Sequence, residues 1–72
     1  MSIYDTFCAN LRTTMADKGF TQSQLALDAG YSISYLSRVL NGTQQNPTLE
    51  FLACVAGALG TTPQALLEPT QP

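Results

Sequence analysis

The 72-residue chain carries three Lys or Arg against five Asp or Glu, contains no histidine or tryptophan, and is 44% hydrophobic. Its length fits one small domain, and a chain of this size buries only about 60% of its unfolded surface, which makes a helical bundle the economical fold. A formal charge of −2 excludes a lysine-rich surface that would hold phosphate by charge alone.

Other classes fall away on the same grounds. Without histidine, with scattered carboxylates and no glycine-rich phosphate loop, nothing forms a nucleophile with its base or a metal cage. The chain therefore reads as a non-enzyme, with no metal, cofactor or small-molecule ligand expected. Cys8 and Cys54 lie far apart in helical patterns and read as small buried hydrophobes. No apolar run reaches membrane-spanning length and no signal peptide opens the chain, so the expected compartment is the cytoplasm, with reduced thiols.

The first predicted helix covers residues 2–18. Ile3, Phe7, Leu11 and Met15 recur every four residues, flanked by Tyr4 and Cys8, and this stripe reads as core. Ser2 is suited to the N-cap, Asp5 and Lys18 suit the two ends of the helix dipole, and Gly19 can stop the helix.

Residues 21–42 read as two short helices joined by a tight turn. Leu25, Ala26 and Ala29 form one apolar face, and Leu36, Val39 and Leu40 form another. Gly30 sits where the first must stop, Ser32 is placed to cap the second, and so short a connection makes the helices cross steeply, as in a helix-turn-helix unit. Ile33, Ser34, Ser37 and Arg38 project away from the buried stripe of the second helix. Serine can donate to or accept from base edges, isoleucine can meet a thymine methyl, and arginine can fork onto guanine O6 and N7. The same face also fits a solvated surface on a structural corner.

A polar break over residues 41–46 follows, with Asn41-Gly42 as a turn signal. Leu49, Leu52, Val55, Ala56 and Leu59 then mark a fourth helix, capped by Thr48 and ended near Gly60. Phe51 lies off that stripe, either filling the core edge or standing exposed at a subunit contact. Thr62 and Pro63 open a last short helix as N-cap and first helical residue. Leu66 and Leu67 are adjacent and so face different sides, one toward the core with the other available, or both packed internally. The expected division is a domain over residues 1–67 and a flexible tail over 68–72.

From Phe20 onward, Thr21, Gln22, Leu25, Ala26, Gly30, Ser32, Ser34, Leu36, Ser37, Arg38, Asn41 and Gly42 resemble the Cro/C1-type, or Xre-like, helix-turn-helix family of phage repressors. Leu11-Arg12 with Lys18-Gly19-Phe20, Pro47-Thr48-Leu49 with Leu52, and Thr62-Pro63 with Leu66-Leu67 extend the likeness over nearly the whole chain. The resemblance implies an all-α, five-helix lambda-repressor-like domain whose helices 2 and 3 form the DNA-binding unit. It implies that Ser32, Ile33, Ser34, Ser37 and Arg38 face the major groove, and that Gln22, opening helix 2, binds phosphate. It also places Tyr35 at the groove edge, and Asn41, Thr43 and Gln44, with Gln45 and Asn46 after them, where the family grips phosphates through main-chain amides and polar side chains. It further implies a homodimer formed through Leu66 and Leu67, bound to a double-stranded operator. Two departures stand out. Leu40 replaces the glutamate that often pairs with the arginine matching Arg12, and the phosphate-gripping loop is uncharged. The expected function is a sequence-specific transcriptional regulator; the alternative is a protein-interaction module on the same scaffold, such as an antitoxin or anti-repressor component.

Overall fold

A computed structural model describes residues 2–44 and 46–69. Met1, Gln45 of the polar loop and residues 70–72 of the expected tail lie outside the described residues. Among the described residues the chain forms five helices: α1 (Ile3–Lys18), α2 (Gln22–Ala29), α3 (Ile33–Leu40), α4 (Leu49–Leu59) and α5 (Pro63–Leu67).

Local chemistry sets these boundaries. Ser2, Thr21, Ser32, Thr48 and Thr62 each turn a side-chain oxygen to an amide in the first turn of the following helix. Asp5 answers Ser2 by accepting from its backbone N–H, which completes a capping box. At the other ends, α1, α2 and α4 stop at Gly19, Gly30 and Gly60 in the left-handed conformation. Gly30 lets its own amide reach the Leu27 carbonyl and the Tyr31 amide reach that of Ala26, turning the chain sharply into α3.

One core unites the helices. Phe7 and Leu11 of α1, Leu25 of α2, Leu36 and Val39 of α3, Phe51 and Val55 of α4, and Leu66 of α5 are fully buried. Phe51 is its hub. Its ring meets Phe7, Tyr31 and Tyr35 edge-on at centroid distances of 6.4, 5.0 and 5.1 Å. This settles Phe51 inside the core.

Three apolar expectations shift. Leu49 is 82% exposed and Ile3 66% exposed, although both continue a buried stripe by spacing alone. Each stands in the first turn of its helix, where the backbone enters from the surface and no neighbouring element covers it. Cys54 is half-buried rather than core, whereas Cys8 is buried.

α5 has no glycine stop. Asn10, a buried polar residue of α1, donates from Nδ2 to the carbonyls of Leu66 at 2.9 Å and Glu68 at 2.6 Å. Glu68, expected to begin a flexible tail, is thus tied to α1 through its backbone. Replacing Asn10 by alanine leaves both carbonyls without this donor, and a loss of about 1–3 kcal/mol is expected, chiefly from the buried Leu66 acceptor. Chemical denaturation measures the loss, and hydrogen exchange should show it first as faster opening of α5.

Candidate nucleic-acid interface

The face of α3 turned away from the core is built from the residues between its buried positions. Leu36, Val39 and Leu40 are buried, while Ser32, Ser34 and Arg38 are exposed, Ile33 is 51% exposed and Ser37 is half-buried. An eight-residue helix is about 12 Å long, which matches the width of a B-DNA major groove. Ser32 does two things at once. Its oxygen caps the helix by accepting from the Tyr35 amide at 3.0 Å, and its hydroxyl proton remains able to donate outward.

Arg38, exposed on α3, has an aromatic neighbour. Its guanidinium carbon lies 5.7 Å from the centroid of the Tyr35 ring, within cation–π range. Tyr35 in turn stacks on Tyr31 at 5.4 Å with the planes 24° apart. Between Gln22 and Gln44 Arg38 is the sole cation and Asp28 the sole acid, and Asp28 accepts a hydrogen bond from Gln24 one turn earlier on α2 at 2.9 Å.

The last turn of α3 is fixed from outside. The Asn41 amide reaches the Ser37 carbonyl, and the next carbonyl, that of Arg38, accepts from the amides of Thr43 and Gln44, both at 3.0 Å. The carbonyls of Val39 and Leu40 are met by α1. Tyr4 donates its hydroxyl to Val39 and Cys8 its thiol to the same oxygen at 3.4 Å, while the Arg12 Nη2 donates to Leu40 at 2.8 Å. Tyr4, Cys8 and Arg12 are spaced by four residues and so share one face of α1.

A model of the helix-turn-helix domain matches residues 7–69, nearly the whole chain and all of the unit just described. The chain belongs to the Xre-like helix-turn-helix family.

Its relatives agree in kind. It is 38% identical over 52 residues to the HTH-type transcriptional regulator SinR of Bacillus subtilis, an alignment covering 72% of this chain and 47% of that protein. It is 43% identical over 42 residues to SlrR of the same organism, another HTH-type transcriptional regulator, covering 58% of this chain and 28% of that one. The chain thus spans about half or less of the length of these relatives. Among solved structures, the hypothetical transcription factor NHTF from Neisseria superposes with a TM-score of 0.90 at 30% identity, over 97% of this chain and 79% of that one. The clp gene regulator ClgR from Corynebacterium glutamicum superposes with a TM-score of 0.83 at 34% identity, over 93% of this chain and 70% of that one.

Within this helix-turn-helix domain several expected site residues carry other duties. The amides of Thr43 and Gln44 already serve the Arg38 carbonyl, and the Asn41 Oδ1 accepts from the Thr43 amide at 3.1 Å. In this conformation those loop amides are engaged within the chain, and the side chains of exposed Asn41 and Thr43 and half-buried Gln44 are the groups turned to the surface. Gln22 opens α2, half-buried beside Arg12, Phe20 and Leu40 around a small open pocket. Tyr35 is half-buried and packs in the aromatic cluster. Leu66 is 1% exposed and filled into the core, whereas Leu67 is the half-buried one of the pair.

Burial raises the Tyr4 hydroxyl from its ordinary pKa of 10 to about 12, the Cys8 thiol adding to the shift and the Gly42 backbone opposing it. The folded state thus holds this proton more tightly than the unfolded chain. Its stabilisation is fully present below pH 10 and is lost as the pH rises toward 12. Tyr4→Phe removes the donor to Val39, and a loss of about 0.5–1.5 kcal/mol is expected at neutral pH. In denaturation curves at a series of pH values, the gap between wild type and variant should hold from neutrality to pH 10 and narrow above it.

Proposed function

We propose that this domain is the sequence-specific DNA-binding part of a cytoplasmic transcriptional regulator, reading an operator major groove with residues 32–40. The observation that carries the reading is the outward face of α3, where hydroxyls, one branched apolar side chain and one anchored arginine stand together without an acid. In this reading Ser32, Ile33, Ser34, Ser37 and Arg38 meet base edges, while Gln22 and the side chains of Asn41, Thr43 and Gln44 meet phosphate. Phosphate contacts set the register and the groove contacts carry the sequence information.

The operator is read by two copies. The longest extent of the chain is 30 Å, shorter than the roughly 34–36 Å between successive half-sites on one face of the duplex. Exposed Ile3 and Leu49 join half-buried Leu67 around an open, apolar-walled groove of about 250 Å³, a surface suited to a two-fold contact. Leu49→Glu should shift the protein toward monomer in sedimentation equilibrium, whereas Leu27→Glu, at an exposed leucine of α2 outside that groove, should not.

The deciding experiment is selection of random duplex DNA at low salt by the wild-type protein and by Arg38→Ala. Wild type should enrich an inverted repeat, and the variant should lose about 1–3 kcal/mol of discrimination at one base pair of each half-site. The net charge of −2 and the uncharged loop favour a second reading, a protein-interaction module. Folded wild-type protein that enriches no sequence would select that reading.

A further inference from the structure

Resting on the DNA-binding reading, we propose that Tyr35 is a positioning residue for specificity: its ring fixes the direction of the Arg38 guanidinium, and its hydroxyl is not a phosphate contact. Three observations meet on this side chain. Tyr35 and Arg38 are three residues apart on α3, hence neighbours on its surface, and the guanidinium lies over the ring at 5.7 Å. The ring itself is hemmed in by aromatic neighbours. It stacks on Tyr31, which the glycine turn at Gly30 delivers from the end of α2, and both rings stand edge-on to Phe51 at 5.0 and 5.1 Å. Phe51 itself is fully buried and meets Phe7 of α1. The arginine at the surface is thereby connected, ring by ring, to the centre of the core.

The chemistry favours this division of labour. Arginine has a long side chain with about 2 kcal/mol of rotamer entropy, and its planar fork recognises guanine only when aimed. A ring beside it restricts the search before DNA arrives and, being apolar, occupies none of the guanidinium's N–H groups with a hydrogen-bond acceptor. No acid within the unit competes for it, since Asp28 is already bonded to Gln24. Tyr35 acts through Arg38, so the consequence of losing the ring is confined to the base pair that Arg38 reads.

The test measures binding to the selected operator and to operators altered at each position, for wild type, Tyr35→Met and Tyr35→Phe, each shown to be folded by circular dichroism. Tyr35→Met fills the space without a ring. It should lower discrimination at the Arg38 base pair by about two- to fivefold, the fold-change equivalent of an exposed cation–π contact, and leave the other positions ranked as before. Tyr35→Phe, which keeps the ring and drops the hydroxyl, should preserve the preference that Tyr35→Met loses. In the Arg38→Ala background, Tyr35→Met should change no base preference. A uniform weakening on all sequences by Tyr35→Phe would overturn the proposal in favour of a hydroxyl–phosphate contact, and full discrimination by folded Tyr35→Met would also overturn it. Should Tyr35→Met not fold, the Tyr35→Phe arm decides: a preserved preference with unaltered ranking supports the ring, and a uniform loss refutes it. Absence of any preference in wild type would instead sink the DNA-binding reading itself.

Discussion

The last turn of α3 leaves carbonyls that the helix cannot satisfy, and the position of α3 follows from who answers them. A helix of eight residues is too short to persist on its own, because nucleation is unfavourable and few hydrogen bonds follow it. α1, twice as long at 16 residues, acts as the template. Tyr4, Cys8 and Arg12 reach the carbonyls of Val39 and Leu40, and Asn10 reaches those of Leu66 and Glu68. The helices that end at left-handed Gly19, Gly30 and Gly60 close their own last turns through adjacent backbone amides. In α3 the amides that follow serve the Ser37 and Arg38 carbonyls, while those of Val39 and Leu40, like that of Leu66 in α5, are met from α1, so α1 helps to set the rotation and depth of α3 beside its own buried Leu36, Val39 and Leu40.

Arg12 shows how a departure from the family pattern is absorbed. The partner expected for it is an acid at position 40, and leucine stands there. The guanidinium goes instead to the backbone of that same residue, donating to the Leu40 carbonyl at 2.8 Å. A cation at the C-terminal end of a helix also opposes the negative pole of its dipole. The tie between α1 and α3 thus survives without an ion pair and without the cost of burying a carboxylate. Leu40 meanwhile adds its side chain to the core.

The elements were legible in the sequence because caps are local rules. Ser32 before Ile33 and Gly30 after Ala29 announce a helix end and a helix start, whatever packs against them. The outward residues of α3 were legible for the same reason, since fixing the Leu36, Val39 and Leu40 stripe fixes its opposite. Depth of burial was not. Periodicity defines a face to within a residue, and only the packed neighbours decide that Phe51 is the hub while Leu49 is exposed. The roles of Asn10 and Tyr31 were hidden further, because each depends on a partner distant in sequence: Leu66 for one, Phe51 for the other. For the Tyr4, Cys8 and Arg12 ladder the four-residue spacing was visible, but its acceptors are backbone atoms, which carry no sequence signal.

The acidic balance and the anchored arginine belong to one argument. Non-specific affinity for DNA rises with the number of cations laid along phosphates, and this chain offers few. For the proposed DNA-binding function, that would weaken binding to an operator and to every competing site alike, because the electrostatic contribution is blind to sequence. What separates operator from competitor is then left to direct readout, where each well-placed fork discriminates by about 1–3 kcal/mol. On the proposed reading, a single arginine on that face bears a larger share of the specificity than it would on a lysine-rich surface. A stack running from Arg38 through Tyr35 to buried Phe51 is the arrangement such a surface requires. It ties the proposed base-reading side chain to the buried centre of the fold.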